Sequence, residues 1–159
     1  MSDQLDQVLS RIPWPPILYL AAAAISVFLS YAVPLPWLGS PLSDILFAIG
    51  WLLAAAGILL YIAAIRALSR ADTTRDPTKP ASHLVTKGPY AFSRNPIYLG
   101  ATAVMFAIAM IAGLPWFFVL AIIAAFATQK LAIEPEEKHL ELRFGRHYRD
   151  YKKKARRWF

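Results

Sequence analysis

Three groups of residues in this chain have types and spacings that chemistry could use. Glu134, Glu136 and Glu137 stand at the end of an otherwise apolar segment. A carboxylate held at that depth is costly unless it is paired or meets a cation. Their plainer role is as helix-start acids after Pro135, favoured by the helix dipole. Arg94-Asn95-Pro96-Ile97-Tyr98 forms the second group. Here Asn95 is placed to act as an N-cap and Pro96 to take the first helical position. That role is compatible with ligand binding, because a helix N-terminus presents free N–H groups. The third group is the aromatics Tyr90, Phe92 and Tyr98, whose plainer role is interfacial anchoring. Taken together, the groups describe a pocket with aromatic faces, backbone donors and a carboxylate. A cationic ligand carrying an aromatic ring would suit it.

The elements that must position these residues are written in the apolar runs. The chain has 159 residues, 57% of them hydrophobic, and a mean hydropathy of +0.43. That is one domain in length but too apolar for an ordinary soluble one. Residues 17–33 and 45–65 contain no charge, and each is long enough to cross a hydrocarbon core of roughly 30 Å. The stretch before the first run is acidic and proline-rich where a signal peptide would be basic, so the run reads as a retained span. Residues 97–129 form a third uncharged run, with Gly113-Leu114-Pro115 in its middle. One helix of that length would extend about 50 Å, and proline breaks it. A helical hairpin is expected, its second helix continuing past Gln129 and leaving Lys130 and Glu134 at the membrane surface. The expected fold is an all-α polytopic membrane protein of about four transmembrane helices, with a cytoplasmic ligand-binding loop and a C-terminal amphipathic helix. Residues 1–66 would carry the first two spans. Residues 67–159 would carry the functional core.

Charge orients this arrangement. Of the 17 Lys and Arg, only Arg11 precedes the second span. Arg66, Arg70, Arg75, Lys79, Lys87 and Arg94 lie between the second and third spans, and the remainder run from Lys130 to Arg157. The connections at 34–44 and 113–115 contain none. The positive-inside rule puts the N-terminus, the 66–96 loop and the C-terminus in the cytoplasm. Trp14, Trp37 and Trp116 fall near span ends, as interfacial anchors should. The net charge of +7 implies membrane-lipid contact, and no nucleic-acid-binding motif accompanies it. With no cysteine, disulfides, thiolate nucleophiles and cysteine-ligated metals are excluded. His83, His139 and His147 lack metal-ligand spacing, and neither GxSxG nor GxGxxG occurs.

The loop over 66–96 is too long for a passive connection, and its last part carries residues able to pack: Leu84, Val85, Tyr90, Phe92 and Tyr98. In the tail, Leu140, Phe144, Tyr148 and Tyr151 recur at helical spacing, making one apolar face. Such a helix can lie along the membrane or close over the loop.

"HLVTKGPYAFSRNPIYLG", followed some forty residues later by "PEEKHLELRFGRHYRDYKKKARRW", resembles the isoprenylcysteine carboxyl methyltransferase superfamily of membrane enzymes, which includes phospholipid N-methyltransferases. The resemblance spans about residues 70–158 and rests on two motifs in order around a helical hairpin. It implies S-adenosylmethionine as methyl donor, bound by loop and tail, with S-adenosylhomocysteine as product. It also implies that Ser82, His83, Leu84 and Val85 help hold the cofactor, with Tyr90 as aromatic neighbour. Asn95, Pro96, Ile97 and Tyr98 fall on the family's His-Pro-x-Tyr, and Glu136 on its cofactor-binding glutamate. Glu137 is the second acid of that pair. On chemical grounds Glu137, Arg94 and Asn95 are the catalytic candidates: Glu137 as a base, Arg94 as an anchor for an acidic acceptor, Asn95 as a hydrogen-bond donor. The physical fit is good, since a sulfonium, an ammonium and an adenine ring suit a carboxylate and aromatic faces.

Two departures shape the expected acceptor. Asn95 replaces a histidine, which removes an imidazole base. Ala132 stands where prenylcysteine methyltransferases place the arginine that binds the substrate carboxylate, and Lys130 cannot copy its planar two-point binding. The expected acceptor is a small lipophilic molecule or a membrane lipid. The alternatives are phospholipid or other amine N-methylation, prenylcysteine carboxyl O-methylation and, without catalysis, a basic membrane adaptor binding through "YKKKARRW".

Overall fold

The computed structural model describes residues 14–73 and 82–159. The described residues are helical, apart from turns, loops and one isolated bridge. Helix α1 spans Trp14–Ala32, α2 Leu42–Arg70, α3 Pro96–Ala112 and α4 Trp116–Thr128. A π-helical turn at Gln129–Ile133 then leads without interruption into α5, Glu134–Phe144, and α6 follows at Arg146–Lys154. Three stretches are long and apolar enough to cross a membrane: α1, α2 and the continuous Trp116–Phe144 helix of 29 residues. The fourth apolar helix, α3, has 17 residues and so reaches about 25 Å. The second span is longer than its uncharged core suggests. It runs on through Arg66 to Arg70, so the loop starts five residues later than expected. Of that loop, residues 74–81, including Arg75 and Lys79, lie outside the described part, as does Arg11 in the N-terminal segment.

The hairpin forms where the sequence breaks. Gly113 adopts the left-handed conformation (φ 66°, ψ 37°) that closes α3, and Pro115 sits just before α4. Trp37 lies against Gly113 and stacks on Phe118, and Trp116 Nε1 donates to Val33 O at 2.8 Å. The two connections on this face of the bundle are thereby tied together.

Inside the bundle, small residues face inward and large ones outward. Ala22, Met105, Ala109, Phe117, Ala121 and Ala124 form a buried cluster among α1, α3 and α4. Leu20, Phe28, Leu52, Leu59, Ile122 and Phe126 are exposed. Lipid is as apolar as these side chains, so helix association depends on close packing rather than on burying leucines. α2 and α3 approach closely at a pair of glycines. A Cβ on Gly100 would stand 2.8 Å from the Gly57 carbonyl oxygen, and one on Gly57 would stand 3.0 Å from that of Gly100. Gly100→Ala should therefore cost about 1–3 kcal/mol through overpacking. Thermal unfolding in detergent measures this, with Gly39→Ala as the neutral control because nothing lies within 4 Å of it.

The tail does not continue as one amphipathic helix. Gly145, at φ 52° and ψ −119°, breaks it into α5 and α6. The four expected apolar residues still meet: Tyr148 and Tyr151 are buried with Ala155 in a cluster that also receives Leu140, Phe144 and, from the loop, Leu84. Of the two placements open to the tail, the described residues show closure over the loop.

Candidate active site

Pro135 dictates the local geometry of the acidic group. Inside a continuous helix it removes a backbone donor and crowds the carbonyl four residues earlier. The preceding turn widens to accommodate it, with Glu134 N–H donating to Gln129 O five residues back. The three glutamates are therefore not at a free helix start, and dipole stabilisation of a helix N-terminus does not account for them. They part company after this turn. Glu134 is paired with Lys130 at 2.8 Å near the surface. Glu137 is buried and held by two arginines. Arg94 donates to its Oε1 from Nη2 at 2.7 Å and from Nε at 3.1 Å, and Arg157 donates from Nη2 to Oε2 at 2.7 Å. Glu136 is half-buried and has neither hydrogen bond nor ion pair among the described residues.

The arginines also join the tail to the loop. Arg94 Nη1 donates to Ala155 O at 2.8 Å. Its backbone N–H reaches Arg156 O at 2.8 Å, while Arg156 N–H reaches Phe92 O at 3.1 Å. Asn95 is buried, but its side chain does not cap α3; Nδ2 donates instead to Arg157 O at 2.9 Å. Pro96 does take the first helical turn, as expected. Trp158 Nε1 closes the arrangement by donating to Gln129 Oε1 at 2.9 Å, next to the widened turn. Residues Arg156, Arg157 and Trp158 thus lie as a strap across the cytoplasm-expected end of α3 and the π-helical turn.

Tyr90 belongs to a single 3₁₀ turn, Gly88–Ala91, and is buried. The Tyr151 hydroxyl donates to its carbonyl at 2.6 Å, which fixes the turn under α6. Burial, followed by the negative charge of nearby Glu136, raises the Tyr90 phenol well above its ordinary range. Burial likewise raises Tyr148 and Tyr151. All three phenols are therefore neutral packing groups, and that of Tyr151 also donates a hydrogen bond. Arg157 is raised as well, chiefly by its hydrogen bonds to Glu137, and stays charged.

The sequence-predicted residues fall into two sets. Tyr90, Arg94, Asn95, Glu136 and Glu137 gather beneath the strap, with Pro96, Ile97 and Tyr98 following in the first turn of α3. Ser82 and His83 are exposed and tethered elsewhere: Ser82 Oγ donates to Asp72 O at 2.7 Å, and both backbone N–H groups reach Thr73 Oγ1. Leu84 and Val85 line a separate cleft against the end of α2. Phe92 is half exposed. Arg157 and Trp158 were not singled out by sequence. Arg157 lies in a run of basic residues that reads as a lipid-binding tail, and nothing there marks it as the partner of Glu137. Among the described residues, no group of three His, Asp or Glu is gathered that could hold a metal ion.

A family model described as phospholipid methyltransferase matches residues 45–147, more than half of the chain. The chain belongs to the phospholipid methyltransferase family. The match begins within α2, takes in the 3₁₀ turn, the hairpin and the acidic helix, and ends at the start of α6, before Arg157 and Trp158. No curated protein and no solved structure matches this chain. With its apolar helices, this member of the phospholipid methyltransferase family is an integral membrane methyltransferase.

Proposed function

We propose that the protein transfers a methyl group from S-adenosylmethionine to the amine of a membrane phospholipid. The observation that carries this reading is Glu136: a half-buried carboxylate, left unpaired beside buried Tyr90 while its neighbours Glu134 and Glu137 are both engaged by cations. An unpaired carboxylate in such a place fits a cationic ligand, and the aromatic wall fits a ligand with a ring. S-adenosylmethionine offers both, and when bound supplies a methyl carbon activated by a sulfonium.

In this reading Glu136 balances the positive charge of the donor, with Tyr90, Ile97 and Tyr98 as its walls. Arg94, Asn95 and Glu137 are positioning residues that hold the strap closed and water out. With both oxygens taken by guanidinium groups, Glu137 is poorly suited to accept a proton. Held there, the donor would supply its methyl group to the incoming amine and leave as S-adenosylhomocysteine, and the excess N–H proton would pass to interfacial water. Ser82 and His83 act at most through the placement of the loop. The loop and the C-terminus face the cytoplasm in this reading, where the donor is found.

Carboxyl methylation is less well supported. Ala132 is 5% exposed and offers no guanidinium, and the cation nearest in sequence, Lys130, is paired with Glu134. The adaptor reading is weakened because Arg157, a cation of the proposed lipid-binding tail, is turned inward to Glu137.

The test is methyl transfer from labelled S-adenosylmethionine by the purified protein, with phosphatidylethanolamine and a farnesylated cysteine analogue as rival acceptors. Labelled amine lipid and little labelled farnesylcysteine are expected; the reverse pattern would overturn the assignment. For orientation, single cysteines can replace Gly39 and Lys153 in this cysteine-free chain. An impermeant thiol reagent applied to intact cells should label the first and spare the second. Labelling at Lys153→Cys would reverse the topology.

A further inference from the structure

Outside the strap, a cleft of about 620 Å³ opens between the last turns of α2 and the segment leading to the 3₁₀ turn. Its walls carry Arg66, Arg70 and Lys87, with Leu84, Val85 and Pro89 as the apolar lining. The three cations are exposed, and among the described residues none has an ion pair or hydrogen bond with another side chain. Arg66 and Arg70 are one helical turn apart and so share a face of α2. Lys87 approaches from the opposite wall. Orientation by the positive-inside rule needs cations on this side of the membrane but does not need them to converge on one cleft.

Depth identifies what the cleft meets. α2 has 29 residues and extends about 43 Å, well beyond the hydrocarbon core. Leu52 and Leu59 on the same helix are exposed, as lipid-facing leucines of a span would be, and Arg66 follows Leu59 by about two turns. A phospholipid whose chains run along those leucines brings its phosphate to the level of Arg66 and Arg70. Guanidinium pairs and an ammonium are suited to hold it. The wall carrying Lys87 continues through Gly88 and Pro89 into Tyr90, so a headgroup bound here lies beside the turn that bears the methyl-transfer site.

We infer that Arg66, Arg70 and Lys87 form the docking site for the phosphate of a membrane phospholipid, the acceptor in the reaction proposed above. That acceptor role rests on the methyltransferase reading, but phosphate docking is measurable without turnover. Binding of short-chain phosphatidylethanolamine, of an amphiphilic amine with the same chains but no phosphate, and of inorganic phosphate is to be compared by calorimetry in detergent. The lipid should bind at least tenfold more tightly than the phosphate-free amine. Arg66→Gln/Arg70→Gln should abolish that preference while binding of S-adenosylmethionine is retained, which also reports an intact fold. Lys87→Gln, on the loop, should reduce the preference about threefold and tests the same site without altering α2. Arg149→Gln, an exposed charge on α6, should leave it unchanged. A preference that survives both cleft variants overturns the inference, and so does inorganic phosphate binding as tightly as the lipid. A lost preference in a protein that methylates no amine lipid would leave the docking site standing and remove the proposed reaction.

Discussion

Arg94→Ala should destabilise the protein by about 3 kcal/mol, because it strips one of two guanidinium partners from a buried carboxylate. The Arg94 and Glu137 side chains are 11% and 10% exposed, so solvent does little to compensate. Arg94 also supplies the bond to Ala155 O that holds the strap. Thermal unfolding in detergent should fall by roughly 10 °C. The sharper part of the expectation concerns the pair. Removing both partners in Arg94→Ala/Glu137→Ala should be no worse than removing Arg94 alone, since the stranded charge goes with its partner. Arg157→Ala should be milder, because that side chain is 36% exposed and screened by water. If Arg94→Ala unfolds at the temperature of the unmodified protein, the loop–tail clamp contributes nothing and the strap is an incidental contact.

Glu136→Gln should have the opposite signature. In the proposed reaction it removes the charge that meets the cationic donor, and the loss of a charge-assisted contact costs roughly 1.5–3 kcal/mol. The dissociation constant for S-adenosylmethionine should rise about 10- to 150-fold. Stability should hold or improve, because a half-buried carboxylate without a partner is itself unfavourable in the folded state. Calorimetry and thermal unfolding on one preparation measure both quantities. Unchanged donor affinity would remove Glu136 from the site. Unchanged affinity together with lost stability would make it a structural residue whose partner lies elsewhere.

The bundle was legible because its signals are local. Uncharged runs end at charges, and Gly113-Leu114-Pro115 can only be a turn in so apolar a stretch. The methyltransferase motifs were legible as two separate strings. What joins them was not. Whether Glu136 or Glu137 is the free carboxylate depends on which faces Arg94 and Arg157, and Arg157 reaches Glu137 only because Gly145 breaks the tail and turns it back. A helical face read through Leu140, Phe144, Tyr148 and Tyr151 identifies the right cluster and the wrong path of the chain. Asn95 shows the same limit. Its type and position specify an N-cap, and a tertiary carbonyl from Arg157 takes its side chain instead. Ser82 and His83 were placed by motif, while their position is set by bonds to Asp72 and Thr73 that no motif records.

The widened turn at Gln129–Ile133 sets the angular phase of everything after it. An α-helix advances about 100° per residue, so a turn holding one additional residue offsets the downstream faces by that angle relative to the span below. Relaxation of the turn to a regular α-pitch with its length unchanged, as Pro135→Ala would allow, would swing Glu136 and Glu137 about a quarter-turn around the axis, carrying the paired acid away from Arg94 and the unpaired one away from Tyr90. The pitch of the turn between the membrane span and the acidic pair therefore acts as a vernier: the same two glutamates, after a turn of regular pitch, would point at different neighbours.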